Sequence, residues 1–324
     1  MLFLSEEDVR KLLSMDEVME AVEAAFREYC EGRTDTPKRT IIPVREVGGH
    51  VLYMPSYVEG AKALAVKVVS AYPTRKSRGT STVNAIVILN DPDTGEPIAV
   101  MAGTYITAMR TGAASGIATK YLARPDSRVV AVVGTGTQAR TQLLAVKEVR
   151  KVKEVIAFDI DERRALKYAE YVRGLGIKCN VAESAEEAVR NADVVIVATT
   201  SKEPVIKGDW IREGTHVNSV GWMGRDSREV DSTTVKRSKV VLDSMNAIEE
   251  SGDIRIPIEE GTISRNHIYG ELCELVTGTK PGRENPREVT LFKSVGIAIE
   301  DAVTAKLAYE KAIKMGIGKH VSLS

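Results

Sequence analysis

Gly134, Gly136 and Ala139 stand in the order G-x-G-x-x-A, between the apolar run Val129-Val130-Ala131-Val132-Val133 and a helix-patterned stretch that carries Leu143, Leu144 and Val149. In that context each residue type has a function. Gly134 permits a tight strand-to-helix turn, Gly136 admits a pyrophosphate to the backbone, and Ala139 lets the helix pack closely on the strand. Amides at the helix start then face the phosphates. Asp159 closes the next predicted strand, 25 residues after Gly134, where a carboxylate reaches the ribose hydroxyls of an adenosine. Such a carboxylate accepts from both hydroxyls and repels a 2′-phosphate, so the expected cofactor is NAD, as NADH, rather than NADP. Arg163 and Arg164 follow on a predicted helix and are expected to face water. Thr199 and the turn Val220-Gly221 end later strands, on the sheet edge where open α/β sheets bind their ligands.

Outside that motif, Lys67 is a lone cation in the strand Ala65-Val66-Lys67-Val68-Val69. A cation so placed either snorkels to the surface or faces a polar cavity. His50, His216, His267 and His320 have no partner spacing that marks an acid or a ligand, and are assigned no chemistry. Cys30, Cys179 and Cys273 are far apart and suggest buried thiols, with neither a disulfide framework nor a zinc site.

The elements that must position these residues follow from hydrophobic spacing. Ser5 caps a first helix, and Met15 to Tyr29 places Val18, Val22, Ala25 and Phe26 on one face before the stop at Gly32. Arg39 to Val44, Val51 to Met54, Ala63 to Val69 and Asn84 to Leu89 read as strands of a mixed or antiparallel sheet. Small residues from Thr111 to Ala118 suit a closely packed helix, which Arg124-Pro125-Asp126 ends. Beyond it, strands at Arg128 to Val133, Glu154 to Phe158, Asp193 to Ala198, His216 to Val220 and Lys239 to Leu242 alternate with helices, the doubly wound pattern. Ser184-Ala185-Glu186-Glu187 is a capping box. A final helix from Ser294 to Lys314 is expected to return to the first domain.

The whole chain of 324 residues favours two domains. Basic and acidic residues balance at 45 each, which provides no field for nucleic acid and no polybasic block for a membrane; the partner is expected to be a small molecule. No apolar run approaches a membrane span, and the first residues do not form a signal peptide, so a cytoplasmic protein is expected. Glutamine occurs only at Gln138 and Gln142 while Lys, Arg and Glu abound, a balance known from heat-adapted proteins.

Several segments together resemble the ornithine cyclodeaminase and mu-crystallin family over nearly the whole chain. They are Pro37 to Pro43, Ile106 to Gly112, the Gly134 to Ala139 loop, Glu250-Ser251-Gly252-Asp253, and Phe292 to Asp301. The resemblance implies an α/β protein: a Rossmann doubly wound parallel sheet at residues 119–294, and a discontinuous α+β substrate-binding and dimerisation domain at 1–118 with 295–324. It also implies NAD(P), a small imino- or amino-acid substrate and a homodimer. By the same likeness Arg39 and Arg110 hold the substrate carboxylate, since a guanidinium offers paired donors. Lys67 contacts the substrate and orients or protonates it, and Val295 lies beside the substrate pocket. Thr82, Thr137, Gln138, Asp159, Thr199 and Ser294 match cofactor-contacting positions. Met223 departs from the pattern, because ornithine cyclodeaminases and the family's alanine dehydrogenases carry an aspartate there. Met223 cannot relay a proton, and the segment from Gly221 to Asp231 is more similar to mu-crystallin, whose relatives reduce cyclic ketimines. Asp226 either replaces the missing carboxylate or is a solvated loop residue. These implications point to an NADH-dependent reductase of a 2-imino acid, ahead of an alanine dehydrogenase, an ornithine cyclodeaminase and a non-catalytic binder.

Overall fold

The computed structural model describes residues 1–72, 83–221 and 224–322. Contacts divide the chain into two compact units, Met1–Arg110 with Ile297–Ser324, and Thr111–Gly296. The first begins with β1 (Leu2–Leu4), α1 (Glu6–Leu12), α2 (Met15–Cys30), β2 (Thr34–Asp35), β3 (Thr40–Val44), β4 (Gly49–Val58), β5 (Ala63–Ala71), β6 (Val83–Asn90) and β7 (Pro97–Ala102). The division falls within α3 (Gly103–Leu122), which starts earlier than its small-residue stretch suggested. The second unit runs through β8 (Val129–Val133), α4 (Thr137–Val149), β9 (Glu154–Phe158), α5 (Glu162–Gly174), β10 (Lys178–Val181), α6 (Ala185–Arg190), β11 (Val194–Val197) and β12 (His216–Ser219). It continues with α7 (Ser232–Arg237), β13 (Ser238–Leu242), α8 (Ala247–Glu250), α9 (Gly252–Glu259), β14 (Ile268–Glu271), α10 (Leu272–Val276) and β15 (Val289–Lys293). α11 (Ala298–Met315) and β16 (Lys319–His320) then rejoin the first unit.

In the first unit the sheet order is β16-β1-β7-β6-β5-β4-β2, with β3 also on β4. All pairs are antiparallel except β1 with β7. Strict alternation on β5 buries Ala63, Ala65, Lys67, Val69 and Ala71 on one face. α11 packs on β4, β5 and α2, and small alanines on that face let the helix approach the strands. On the opposite face Tyr53 and Ile86 are exposed, as is Ile42 of β3, which pairs with Val51. Ser5 caps α1 as expected, its hydroxyl accepting from Asp8 N while the Asp8 carboxylate accepts from Ser5 N.

In the second unit every strand pair is parallel, in the order β10-β9-β8-β11-β12-β15-β13-β14. Helices cover both faces, so the central strands β8 and β11 are apolar on both sides. Val130, Val132, Val194 and Ile196 join α4 and α5 in one layer, whereas Ala131, Val133, Val195 and Val197 pack with α6, α7 and α9 in the other. This is the Rossmann doubly wound sheet. The last helix starts at Ala298 and not at Ser294. The Asp243 carboxylate binds Ser294 Oγ and the amides of Val295 and Gly296, which removes those groups from any helical ladder. Cys179 and Cys273 are buried and Cys30 is half-buried. Among the described residues no helix is long and apolar enough to cross a membrane.

Candidate active site

Lys67 does not snorkel. It points from the covered face of β5 towards α11, where Nζ donates to Asp301 Oδ1 at 2.7 Å and lies 2.7 Å from Oδ2. Arg110 closes the group: Nη1 donates to Glu300 Oε2 at 2.6 Å and Nε lies 3.1 Å from Asp301 Oδ1. Side-chain exposures of 1% for Lys67, 2% for Asp301, 7% for Arg110 and 0% for Glu300 place all four charges out of water. Glu300 and Asp301 stand in the first turn of α11, where the helix dipole favours carboxylates. Arg39, half-buried just before β3, is near enough for its charge to act on Lys67. Burial, then the repulsion of Arg110, lowers the Lys67 ammonium to about 8, with Asp301 pulling the other way. Lys67 and Arg110 balance Glu300 and Asp301, and the charge of Arg39 also reaches Lys67. Taking ions out of water costs several kcal/mol each, and apolar residues would fill this volume with less loss of stability. A preorganised group that brings two arginines near a near-neutral amine suits an anionic substrate that must exchange a proton.

In the second unit, the turn after β8 has the form the sequence motif requires. Gly134 has φ +86°, and a Cβ there would meet Ala198 O and Thr199 Cγ2 at 2.7 Å. Gly136 is the N-cap of α4, with open space where its Cβ would stand and no side chain of its own to cap the helix. The first amides of α4, from Thr137 and Gln138, stand at a helix start of the kind that favours an anion. Ala139 is fully buried against the sheet, and Tyr168 Oη donates to its carbonyl oxygen. Asp159 follows β9. Its Oδ2 accepts from Thr135 N at 2.8 Å and Thr135 Oγ1 at 3.0 Å, and its Oδ1 from Asp161 N at 3.0 Å, so it braces the turn. These residues fit the diphosphate and adenosine ribose of a dinucleotide. Arg163 and Arg164 are exposed on α5.

Further along the same edge lie Thr199 after β11, Val220 and Gly221 after β12, and Ser294 and Val295 after β15. Sequence reasoning missed what holds them. The buried Glu229 carboxylate accepts from Thr199 N at 2.5 Å and from Gly221 N at 2.6 Å. A Cβ on Gly221 would stand 2.0 Å from the Glu229 carboxyl carbon, so a larger residue there would displace that carboxylate. Asp253 Oδ1 accepts from Glu229 N at 2.6 Å, and Lys293 Nζ lies 2.8 Å from Asp253 Oδ2. Ser219 Oγ sits among them, 2.9 Å from Asp253 Oδ2 and 3.3 Å from Lys293 Nζ. The available signal was an ionisable residue at the end of an apolar strand, as in Val289-Thr290-Leu291-Phe292-Lys293. Thr82 and Met223 lie outside the described residues. Asp226 is a surface residue, 90% exposed and paired with Arg255 at 2.7 Å. His216 is buried between Thr290 and Asn218 and held neutral, its pKa lowered to about 3 by burial, in keeping with a packing role.

The profile of the ornithine cyclodeaminase/mu-crystallin family matches residues 1–316. The chain belongs to that family. Alanine dehydrogenase from Archaeoglobus fulgidus is 40% identical over 320 residues, covering 99% of this chain and 98% of the relative. Δ1-Pyrroline-2-carboxylate reductase from Bacillus cereus is 40% identical over 324 residues, covering 99% of each. Among solved structures of the family, the Thermococcus litoralis Δ1-pyrroline-2-carboxylate reductase in complex with NADH and L-proline superposes with a TM-score of 0.98. It is 58% identical, over 99% of this chain and 100% of that one.

Proposed function

We propose that this member of the ornithine cyclodeaminase/mu-crystallin family is an NADH-dependent reductase of small 2-imino acids, with Δ1-pyrroline-2-carboxylate its first candidate and L-proline the product. The observation that carries the reading is the buried Lys67, fixed by Asp301 and flanked by Arg110 and Arg39, with an amine that titrates near 8. The likeness to a reductase that binds NADH and L-proline supports it.

In this reading the two arginines bind the substrate carboxylate, and Glu300 holds the Arg110 guanidinium in one orientation beforehand. Asp301 holds the Lys67 ammonium, which donates its proton to the imine nitrogen as the C=N bond is reduced. Bound NADH supplies the hydride that adds to the imine carbon. One hydride and one proton therefore turn the imine into the amine, and a protonated imine needs no further activation. In the second unit the Gly134 turn and the start of α4 bind the diphosphate, and Asp159 takes the ribose hydroxyls and disfavours NADPH.

Oxidative deamination of alanine is the second reading, favoured by the Archaeoglobus fulgidus relative. It requires a group to activate water, and Met223 stands where the family's alanine dehydrogenases carry an aspartate. The exposed apolar residues Ile42, Tyr53 and Ile86 on one face of the first unit's sheet support a homodimer through that surface. Use of NADH on a small metabolite accords with a cytoplasmic protein. NADH oxidation followed with Δ1-pyrroline-2-carboxylate, its six-membered homologue, and pyruvate plus ammonia tests the assignment. Turnover of the cyclic imines well above pyruvate plus ammonia is expected, and the reverse order overturns it.

A further inference from the structure

The proposed reaction does not use one buried group of charges, formed by Glu229, Asp253 and Lys293 at the carboxyl ends of the central strands of the second unit. Its place relative to a dinucleotide follows from strand order. Asp159 is at the end of β9, the diphosphate turn is at the end of β8, and β11 and β12 continue on the side of β8 away from β9. A dinucleotide with its adenosine ribose at Asp159 and its diphosphate at Gly134 must carry its nicotinamide half across the ends of β11 and β12. The end of β12, two strands from β8, is about 10 Å away at the usual strand spacing, within the span of one nucleoside. The turns that Glu229 ties together are those under that half, since its two oxygens take the amides of Thr199 and Gly221.

Charge gives the arrangement a second consequence. The charged groups that face Glu229 are Asp253 of α9 and Lys293 at the end of β15, and Asp243 beyond β13 acts in turn on Lys293. With both carboxylates ionised the three side chains sum to −1, and with Glu229 protonated they sum to zero. The nicotinamide ring is cationic when oxidised and neutral when reduced, so that difference acts on the ring of the oxidised form alone, the diphosphate charges being common to both forms. Burial raises the Glu229 carboxyl to about 7 despite the pull of Lys293, which puts its ionisation in the neutral range.

We propose that Glu229 is a positioning residue of the dinucleotide site: it joins the turns after β11 and β12, and its ionisation sets the preference of the site for oxidised over reduced dinucleotide. This rests on the reading that the second unit binds NAD(H). Calorimetric titration of the cofactor-free protein with NAD+ and with NADH, from about pH 6 to about pH 8.5, tests it without reference to turnover. The ratio of oxidised to reduced affinity should rise on the order of tenfold with pH, as for charges about 10 Å apart at an effective dielectric constant near ~20. Its midpoint should fall at about 7. Glu229→Gln should make the ratio flat while lowering both affinities, because its amide nitrogen replaces an acceptor that faces a backbone amide. Lys67→Met should keep the pH-dependent ratio, which separates Glu229 from the other near-neutral group even if Glu229→Gln fails to fold. A flat ratio in the wild-type protein, an unchanged slope in Glu229→Gln, or its loss in Lys67→Met overturns the proposal. Failure of both dinucleotides to bind overturns the underlying reading as well.

Discussion

Replacing Lys67 by alanine removes the proton donor while leaving both arginines in place. Asp301 is not stranded by the change, since Arg110 Nε stays 3.1 Å from its Oδ1. Breaking a buried pair costs roughly 3–5 kcal/mol when a charge is left alone, so a loss at or below the lower end is expected and the protein should still fold. The catalytic effect should be larger. A positioned general acid contributes about 10²–10⁴-fold, and kcat for reduction of Δ1-pyrroline-2-carboxylate should fall by that factor with a smaller change in KM. NADH affinity should stay nearly intact, because the dinucleotide motif lies in the other unit. The pH dependence gives an independent check on sign. The donor is protonated below its pKa of about 8, so imine reduction by the wild-type enzyme should decline as pH rises through that value, and proline oxidation should increase through it. NADH absorbance at fixed imine concentration, with circular dichroism to verify folding, measures all of this. The reasoning fails if Lys67→Ala keeps kcat within about tenfold of wild type, if its NADH affinity falls in parallel, or if both directions share one pH limb.

Arg39→Ala should raise KM for the imino acid by roughly 10–100-fold with little change in kcat, as expected for one charge-assisted contact worth about 1.5–3 kcal/mol made equally in ground and transition states. Steady-state kinetics decides this, and a dominant kcat effect would contradict the assigned role. Asp159→Ala should weaken NADH binding, partly by releasing Thr135, and narrow the preference for NADH over NADPH at least about tenfold in comparative titrations. Unchanged selectivity would remove the ribose assignment. Ile86→Glu places a charge on the exposed apolar sheet face and should shift the protein towards monomer in light scattering; a mass identical to wild type would exclude that face as the interface.

What the sequence determined by itself was whatever depends on neighbours along the chain. The Gly134 turn was legible because a positive φ, a close backbone approach and a helix start are local steric demands, met by residue types at fixed spacing. The strand character of β5, rich in β-branched residues, and the helical spacing of α2 were legible for the same reason. Short strands with mixed polarity, such as Lys178-Cys179-Asn180-Val181 in β10, carry no clear period and were not read. Asp226 could not be settled from sequence, because exposure depends on what packs around the loop, and the fold leaves it in water. The site chemistry was decided by tertiary structure alone. Lys67 meets Asp301 across 234 residues and Arg110 meets Glu300 across 190, and Glu229 reaches Thr199 across 30. No spacing rule spans such distances. An isolated lysine in water titrates near its ordinary value; only burial against α11, with two arginines close by, moves Lys67 to where it can exchange a proton at neutral pH.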